Sequence, residues 1–338
     1  MLKIDVFNHI FPVRFFHRMN EVAPGLEDMG KRVRGIPVLV DVEARLRMLD
    51  QFGDDYRQVL TLASPPIERF AGPEVSPELA GVANDGMAEL VSTHDRFVGF
   101  VASLPMNNPD ASLVEAKRAI DQLGATGVQI FTNANGRALD HPEFLPLFEL
   151  MASYDLPIWV HPARGAEMPD YLDEDRSRYE IWWTFGWPYE TSAMMARLVF
   201  SGLFDRLPDL KIITHHLGGM TPYFEGRVGP GMDQLGSRTT SEDLGAVLDK
   251  LERRPLDYFK RFYGDTAVFG SAAATRCGLE FFGADRVLFG SDCPFDPEKG
   301  PGFIRETIRV LDHDLDVPPE VRAQIYEGNA RRMLRLRL

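Results

Sequence analysis

The chain has 338 residues, and 37 Lys and Arg stand against 50 Asp and Glu, a formal net charge of −13 at pH 7. This acidic balance excludes the basic footprint of a nucleic-acid binder, no apolar run approaches the roughly 20 residues of a membrane span, and an anionic substrate would need arginines placed at its own site. Two cysteines, Cys277 and Cys293, cannot build a disulfide framework, and Met1-Leu2-Lys3-Ile4-Asp5-Val6 enters a strand without signal-peptide features, so a soluble cytoplasmic protein is expected.

In chain order the strand candidates are Lys3–Phe7, Arg57–Ala63, Phe97–Ser103, Gly127–Thr132, Pro157–Pro162, Lys211–His216, Phe259–Thr266 and Arg286–Asp292. They are rich in Val, Ile and Phe, and runs such as Ile158-Trp159-Val160 and Val287-Leu288-Phe289 are apolar on both faces, as in a parallel sheet covered on two sides. Between them lie helical stretches. Asp41 precedes Val42–Phe52, which Gly53 stops, and Pro109-Asp110 opens Ala111–Leu123 ahead of Gly124. Pro142 opens a helix to Tyr154, and Pro188–Arg206 carries an apolar stripe at Met195, Leu198, Val199 and Leu203. Ala272–Phe282, Phe303–Asp312 and Glu320–Leu334 complete the set.

Unbroken strand-helix alternation predicts an α/β fold, a single (β/α)8 TIM barrel over residues 1–338, rather than two domains. A doubly wound open sheet is the other reading, but no glycine-rich phosphate loop follows the first strand. Two connections are long, Ile10–Val40 after the first strand and Ala163–Trp187 after the fifth. In a barrel both would sit on the C-terminal face as binding loops.

The polar residues fall where such a barrel gathers them. His9 lies two residues beyond the first strand, His161 ends the fifth, His215 and His216 end the sixth, and Asp292 ends the eighth. Parallel strands deliver these ends to one face, and imidazoles with a carboxylate are the ligand set of a divalent ion such as zinc. The remaining histidines, His17, His94, His141 and His313, fall in loops or helical stretches and are read as structural or surface residues.

Several segments carry a resemblance: Ile4-Asp5-Val6-x-x-His9-Ile10-x-Pro12, Val160-His161-Pro162, Gly186-x-Pro188-x-Glu190-Thr191, Thr214-His215-His216-Leu217-Gly218-Gly219, Tyr263-x-Asp265-Thr266 and Gly290-Ser291-Asp292-x-Pro294. In this order, over nearly the whole chain, they resemble the amidohydrolase-related family typified by aminocarboxymuconate semialdehyde decarboxylase and the resorcylate-type decarboxylases. The resemblance implies a mononuclear metal barrel in which His161 and Asp292 are ligands and His216, directly before the Leu-Gly-Gly turn, is the catalytic imidazole. His216 is preferred over His215 because neighbours on a strand point to opposite faces. The family carries two first-strand ligands written His-x-His, with Glu replacing the first in some decarboxylases. Here His9 holds the second place and Phe7 the first, and a phenyl ring cannot coordinate. Asp5 shares the inward parity but sits about 6–7 Å deeper. Either three ligands remain, His9, His161 and Asp292, or the ion is lost and the pocket works by acid–base chemistry alone.

A carboxylate substrate needs cations, and the candidates are Arg164, three residues after His161, Arg45 and Arg47 in a stretch resembling the family's substrate-binding segment, and Arg14. Phe11, Phe15, Trp182, Trp183 and Trp187 in the long connections suit a planar ring. The leading expectation is a metal-dependent non-oxidative decarboxylase of an aromatic or conjugated carboxylic acid, with Asp292 or His216 delivering the proton. The alternative is a hydrolase of a lactone, amide or related carbonyl compound, with or without a metal, and the third reading is a catalytically silent binding barrel. By analogy with related barrels, a homodimer is expected.

Overall fold

A computed structural model describes residues 1–336. Its parallel strands are β1 (Lys3–Ile10), β2 (Tyr56–Leu62), β3 (Phe97–Phe100), β4 (Ala102–Ser103), β5 (Val128–Phe131), β6 (Ile158–His161), β7 (Ile212–Thr214), β8 (Tyr263–Asp265) and β9 (Val287–Leu288). Side by side, β1, β2 and β3 form one parallel run, and β9, β8, β7, β6, β5 and β4 a second. The amide of Val101 donates to the Leu60 carbonyl, and the amides of Val6 and His9 donate to the carbonyls of Phe289 and Cys293. These bonds lay the chain after β9 alongside β1. The expected α/β architecture with a parallel sheet is thus the observed one. Among the described residues no helix is long and apolar enough to cross a membrane.

Burial explains why apolar runs read as strands. One face packs Val59, Val101, Trp159, Ile213 and Leu288 into a small cluster with Ile4 and Val6. The other packs against the helices in a larger cluster that includes Leu60, Val128, Ile158, Ile212 and Val287. Local signals hold where they are strong. Asp41 caps its helix by accepting from the Ala44 amide at 2.9 Å, Asn108 does the same for Ala111 at 3.2 Å, and Gly53 takes φ 77°.

Four expectations need correction. Residues Ser76–Thr93 form the longest helix among the described residues, which hydrophobic periodicity misses because small or polar Ser76, Ala80, Ala83 and Asn84 share its buried face with Leu79 and Met87. The strand expected from Phe259 starts only at Tyr263, since Pro255 opens a short helix through Phe259. The connection after β1 is largely helical, over Val13–Val22 and Met29–Arg34. Within β1 the register advances from Asp5 opposite Gln58 to Asn8 opposite Leu60, three residues against two. That extra residue breaks the alternation, so Asp5 does not share a face with His9. Instead its carboxylate accepts from the amides of Phe7 and Ser291 and the hydroxyls of Tyr56 and Ser291, and burial pushes it up to about 6.

Glu68 is 4% exposed and its Oε1 has no hydrogen-bond partner, and burial raises its carboxyl from 4.5 to about 7. Between those values the folded chain keeps a proton that the unfolded chain has released, so stability falls as pH rises through that window. Above it the cost is fully present, about 3 kcal/mol. Glu68→Gln is therefore expected to raise Tm at about pH 8 and to leave it nearly unchanged at about pH 4. Melts of both proteins at the two pH values check this, and an equal effect at both would contradict it.

Candidate active site

Each functional side chain sits at the C-terminal end of a strand or just past it. His9 is near the end of β1, His161 ends β6, His215 and His216 follow β7, Asp265 ends β8, and Asp292 lies four residues beyond β9. His9, His215 and Asp265 are 0% exposed, His161 3% and Asp292 6%. The structure thus brings together His9, His161, His216 and Asp292, as expected. His9 Nε2 lies 3.0 Å from Asp292 Oδ1, and His216 Nε2 lies 3.7 Å from Asp292 Oδ2. The His161 ring centroid is 5.6 Å from that of His9 and 6.1 Å from that of His216.

The preference for His216 over His215 assumed an extended backbone, and here the structure differs. β7 ends at Thr214, and His216, Leu217, Gly218 and Gly219 all take positive φ, 54°, 55°, 78° and 63°. This left-handed run swings both imidazoles to the same centre, His215 at 5.5 Å from the His161 ring. Gly219 is required there, because a Cβ would meet the Pro188 carbonyl at 2.5 Å. His215 Nδ1 donates to Asp265 Oδ2 at 2.7 Å, while the other oxygen accepts from the amides of His216 and Ala267. Asp265 thus orients His215 and anchors the turn. Sequence reasoning gave Asp265 no role, although it closes a strand just as the other site residues do.

Neighbours fix the histidine tautomers. Thr61 Oγ1 donates to the Asn8 carbonyl at 2.7 Å, so toward His9 Nδ1, 3.1 Å away, it acts as acceptor. His161 Nδ1 donates to the Pro162 carbonyl at 2.7 Å, leaving Nε2 as its lone-pair nitrogen. Burial and the surrounding imidazoles hold His161 well below the usual histidine range, and burial with His216 and His9 does the same to His215. Burial disfavours an ionised Asp292, yet bonds from His216 and His9 keep it well below the usual carboxylate range. His216 is pulled down by burial but raised overall by Asp292.

Beside His161 opens a cavity of about 580 Å³ lined by Ser64, Thr132, Pro162, Arg164, Trp182, Trp187 and Glu190, among others. Arg164 and Trp187 therefore share the wall of one cavity. Trp187 packs edge-on to His161 at 5.3 Å, and Arg164 Nη1 lies 3.2 Å from Glu190 Oε1. Arg45 and Arg47 are not there. Arg45 is 0% exposed, its guanidinium donating to Gln58 Oε1, Asn8 Oδ1 and the carbonyls of His9 and Val38, which withholds it from any ligand. Arg47 is exposed on the solvent side of the same helix, and Arg14 is an exposed partner of Glu89. Phe11 and Phe15 belong to the core.

The sequence pattern of the amidohydrolase family matches residues 4–336. The chain belongs to the amidohydrolase family. Among relatives of this amidohydrolase, the 2-amino-3-carboxymuconate-6-semialdehyde decarboxylase of Dictyostelium discoideum is 31% identical over 91% of this chain and 86% of its own length. The gamma-resorcylate decarboxylase of Polaromonas sp. is 31% identical over 88% of this chain and 89% of its own. A solved structure of dihydroxybenzoic acid decarboxylase from Polaromonas sp. JS666, with bound manganese and the inhibitor 2-nitroresorcinol, superimposes with a TM-score of 0.79 at 26% identity, covering 98% and 96% of the two chains.

Whether this amidohydrolase's own residues suit an ion can be tested on their atoms. His9 Nε2 and Asp292 Oδ1 lie 3.0 Å apart, an imidazole nitrogen and a carboxylate oxygen of the kinds that ligate divalent ions. That donor pair fits a divalent ion. Among the described residues, however, no three His, Cys, Asp or Glu side chains stand close enough together to form a ligand set. The expected trio of His9, His161 and Asp292 is therefore a converging pair with His161 standing off.

Proposed function

We propose that this chain is a non-oxidative decarboxylase, a C–C lyase that releases CO2 from an aromatic or conjugated carboxylic acid. The observation that carries this reading is the buried cluster in which Asp292 lies 3.0 Å from the His9 imidazole and 3.7 Å from that of His216. Supporting it, the two relatives at 31% identity are named as decarboxylases. The architecture we assign is one closed (β/α)8 barrel over residues 1–336, the last two residues of the chain lying outside the described ones, supported by the bonds of Val6 and His9 to the chain after β9. The long connections after β1 and β6 then border the substrate.

Arg164 binds the small-molecule carboxylate substrate and Trp187 packs against its planar ring. His216, which the charge of Asp292 helps to keep protonated, gives its proton to the ring carbon that bears the carboxylate. The C–C bond then breaks, its electron pair returns to the ring, and CO2 departs. Such acid–base groups supply about 10²–10⁴-fold in rate. His9 and Asp292 would hold the divalent ion, zinc or the manganese named for the Polaromonas structure, which when bound would polarise substrate oxygens. We further assign a homodimer in the cytoplasm.

Incubation with a panel of carboxyl-labelled hydroxybenzoates and conjugated acids should release labelled CO2. A ring-opened product that retains the label would replace this reading with hydrolysis, and no turnover on either panel would leave a binding protein. Arg164→Met is expected to raise KM for an acid substrate about tenfold with little change in kcat, since it removes binding common to ground and transition states. An unchanged KM would take Arg164 out of the site.

A further inference from the structure

Phe7 stands at the middle of the histidine cluster. Its ring is 0% exposed and lies flat on His215, with centroids 3.4 Å apart at 17°. It meets His9 edge-on at 4.6 Å and His216 edge-on at 5.6 Å, and lies 5.8 Å from His161. A phenyl ring brings no lone pair, so the space among the imidazoles is filled by a group that cannot coordinate. The buried Nε2 of His215 has no partner there. The one close donor pair is His9 with Asp292, short of the three or four protein ligands that retain an ion firmly. Ions held through one or two protein groups keep water and draw further ligands from the substrate, as magnesium commonly does.

We infer that Phe7 makes the divalent ion of this centre an exchangeable one, taken up weakly by the resting chain through His9 and Asp292 and completed by water and substrate oxygens. This rests on the same centre as the proposed decarboxylase, but its test needs no turnover, so failure to release CO2 leaves it standing. Place for an added ligand exists where the phenyl ring now lies, and Phe7→Glu or Phe7→His would supply one.

The full chain, purified without chelator and desalted, would be assayed for metal by elemental analysis and then titrated with Mn²⁺ alone, free ion being counted by its paramagnetic resonance signal. The wild type is expected to emerge with well under one equivalent and to bind Mn²⁺ saturably. Phe7→Glu is expected to bind at least about tenfold more tightly, the lower end of what ligand-sphere changes do to metal affinity. One firmly retained equivalent in the wild type overturns the inference, as does the absence of any saturable binding. A folded Phe7→Glu that binds no more tightly overturns it too. Should that variant fail to fold, Phe7→His takes its place. If neither folds, the wild-type titration decides alone, a Kd below about 1 μM overturning the inference and a weaker one supporting it.

Discussion

Asp292→Asn should give a folded protein whose turnover has fallen about 10³-fold or more. The carboxylate faces His9 through one oxygen and His216 through the other, at 3.0 and 3.7 Å. Replacing either oxygen by an amide nitrogen removes the charge that holds the proton on His216 and turns a donor toward one imidazole. Asparagine is the informative substitution because residue 292 sits at φ 65°, a left-handed conformation that Asn tolerates and Ala does not. The turn should survive while its chemistry is lost. Steady-state kinetics beside a thermal melt separate the two, and a variant retaining a tenth of the wild-type rate would remove Asp292 from the proposed proton path.

The second large effect is on stability. Arg45→Met should lower Tm by about 5 °C in a chain of this length, because leaving several buried acceptors without their donor costs about 3–5 kcal/mol. Without the guanidinium, Gln58 Oε1, Asn8 Oδ1 and the His9 carbonyl lose their donor in a place water does not reach. The His9 carbonyl belongs to a site residue, so the surviving folded fraction should also show impaired catalysis. Arg47→Ala, on the exposed face of the same helix, should change stability by no more than about 0.5 kcal/mol. Paired melts of the two variants check the contrast, and equal shifts would refute the structural role given to Arg45.

That contrast also marks what a sequence can disclose. That His9, His161 and Asp292 lie at the same end of the sheet was legible, because apolar runs mark the strands and parallel strands place their ends together, but not that only His9 and Asp292 would come within 3.0 Å. Arg45 and Arg47 were not separable, since an arginine on an amphipathic helix reads the same whether it faces water or a buried Asn8 and Gln58. The pairing of His215 with Asp265 was hidden for a related reason. Side-chain alternation is a rule for extended backbone, and the positive φ values after Thr214 suspend it. Asp265 could have been noticed as another carboxylate at a strand end, but the imidazole it orients lies 50 residues away in sequence.

The odd residue in β1 has an evolutionary corollary. Asp5 ties one side of that strand to Tyr56 and Ser291, while His9 belongs to the opposite side four positions later. Losing a single codon between them would restore regular pairing and turn His9 away from its partners. This stretch of the gene should therefore tolerate exchanged letters better than lost ones, and deletions there should be purged by selection.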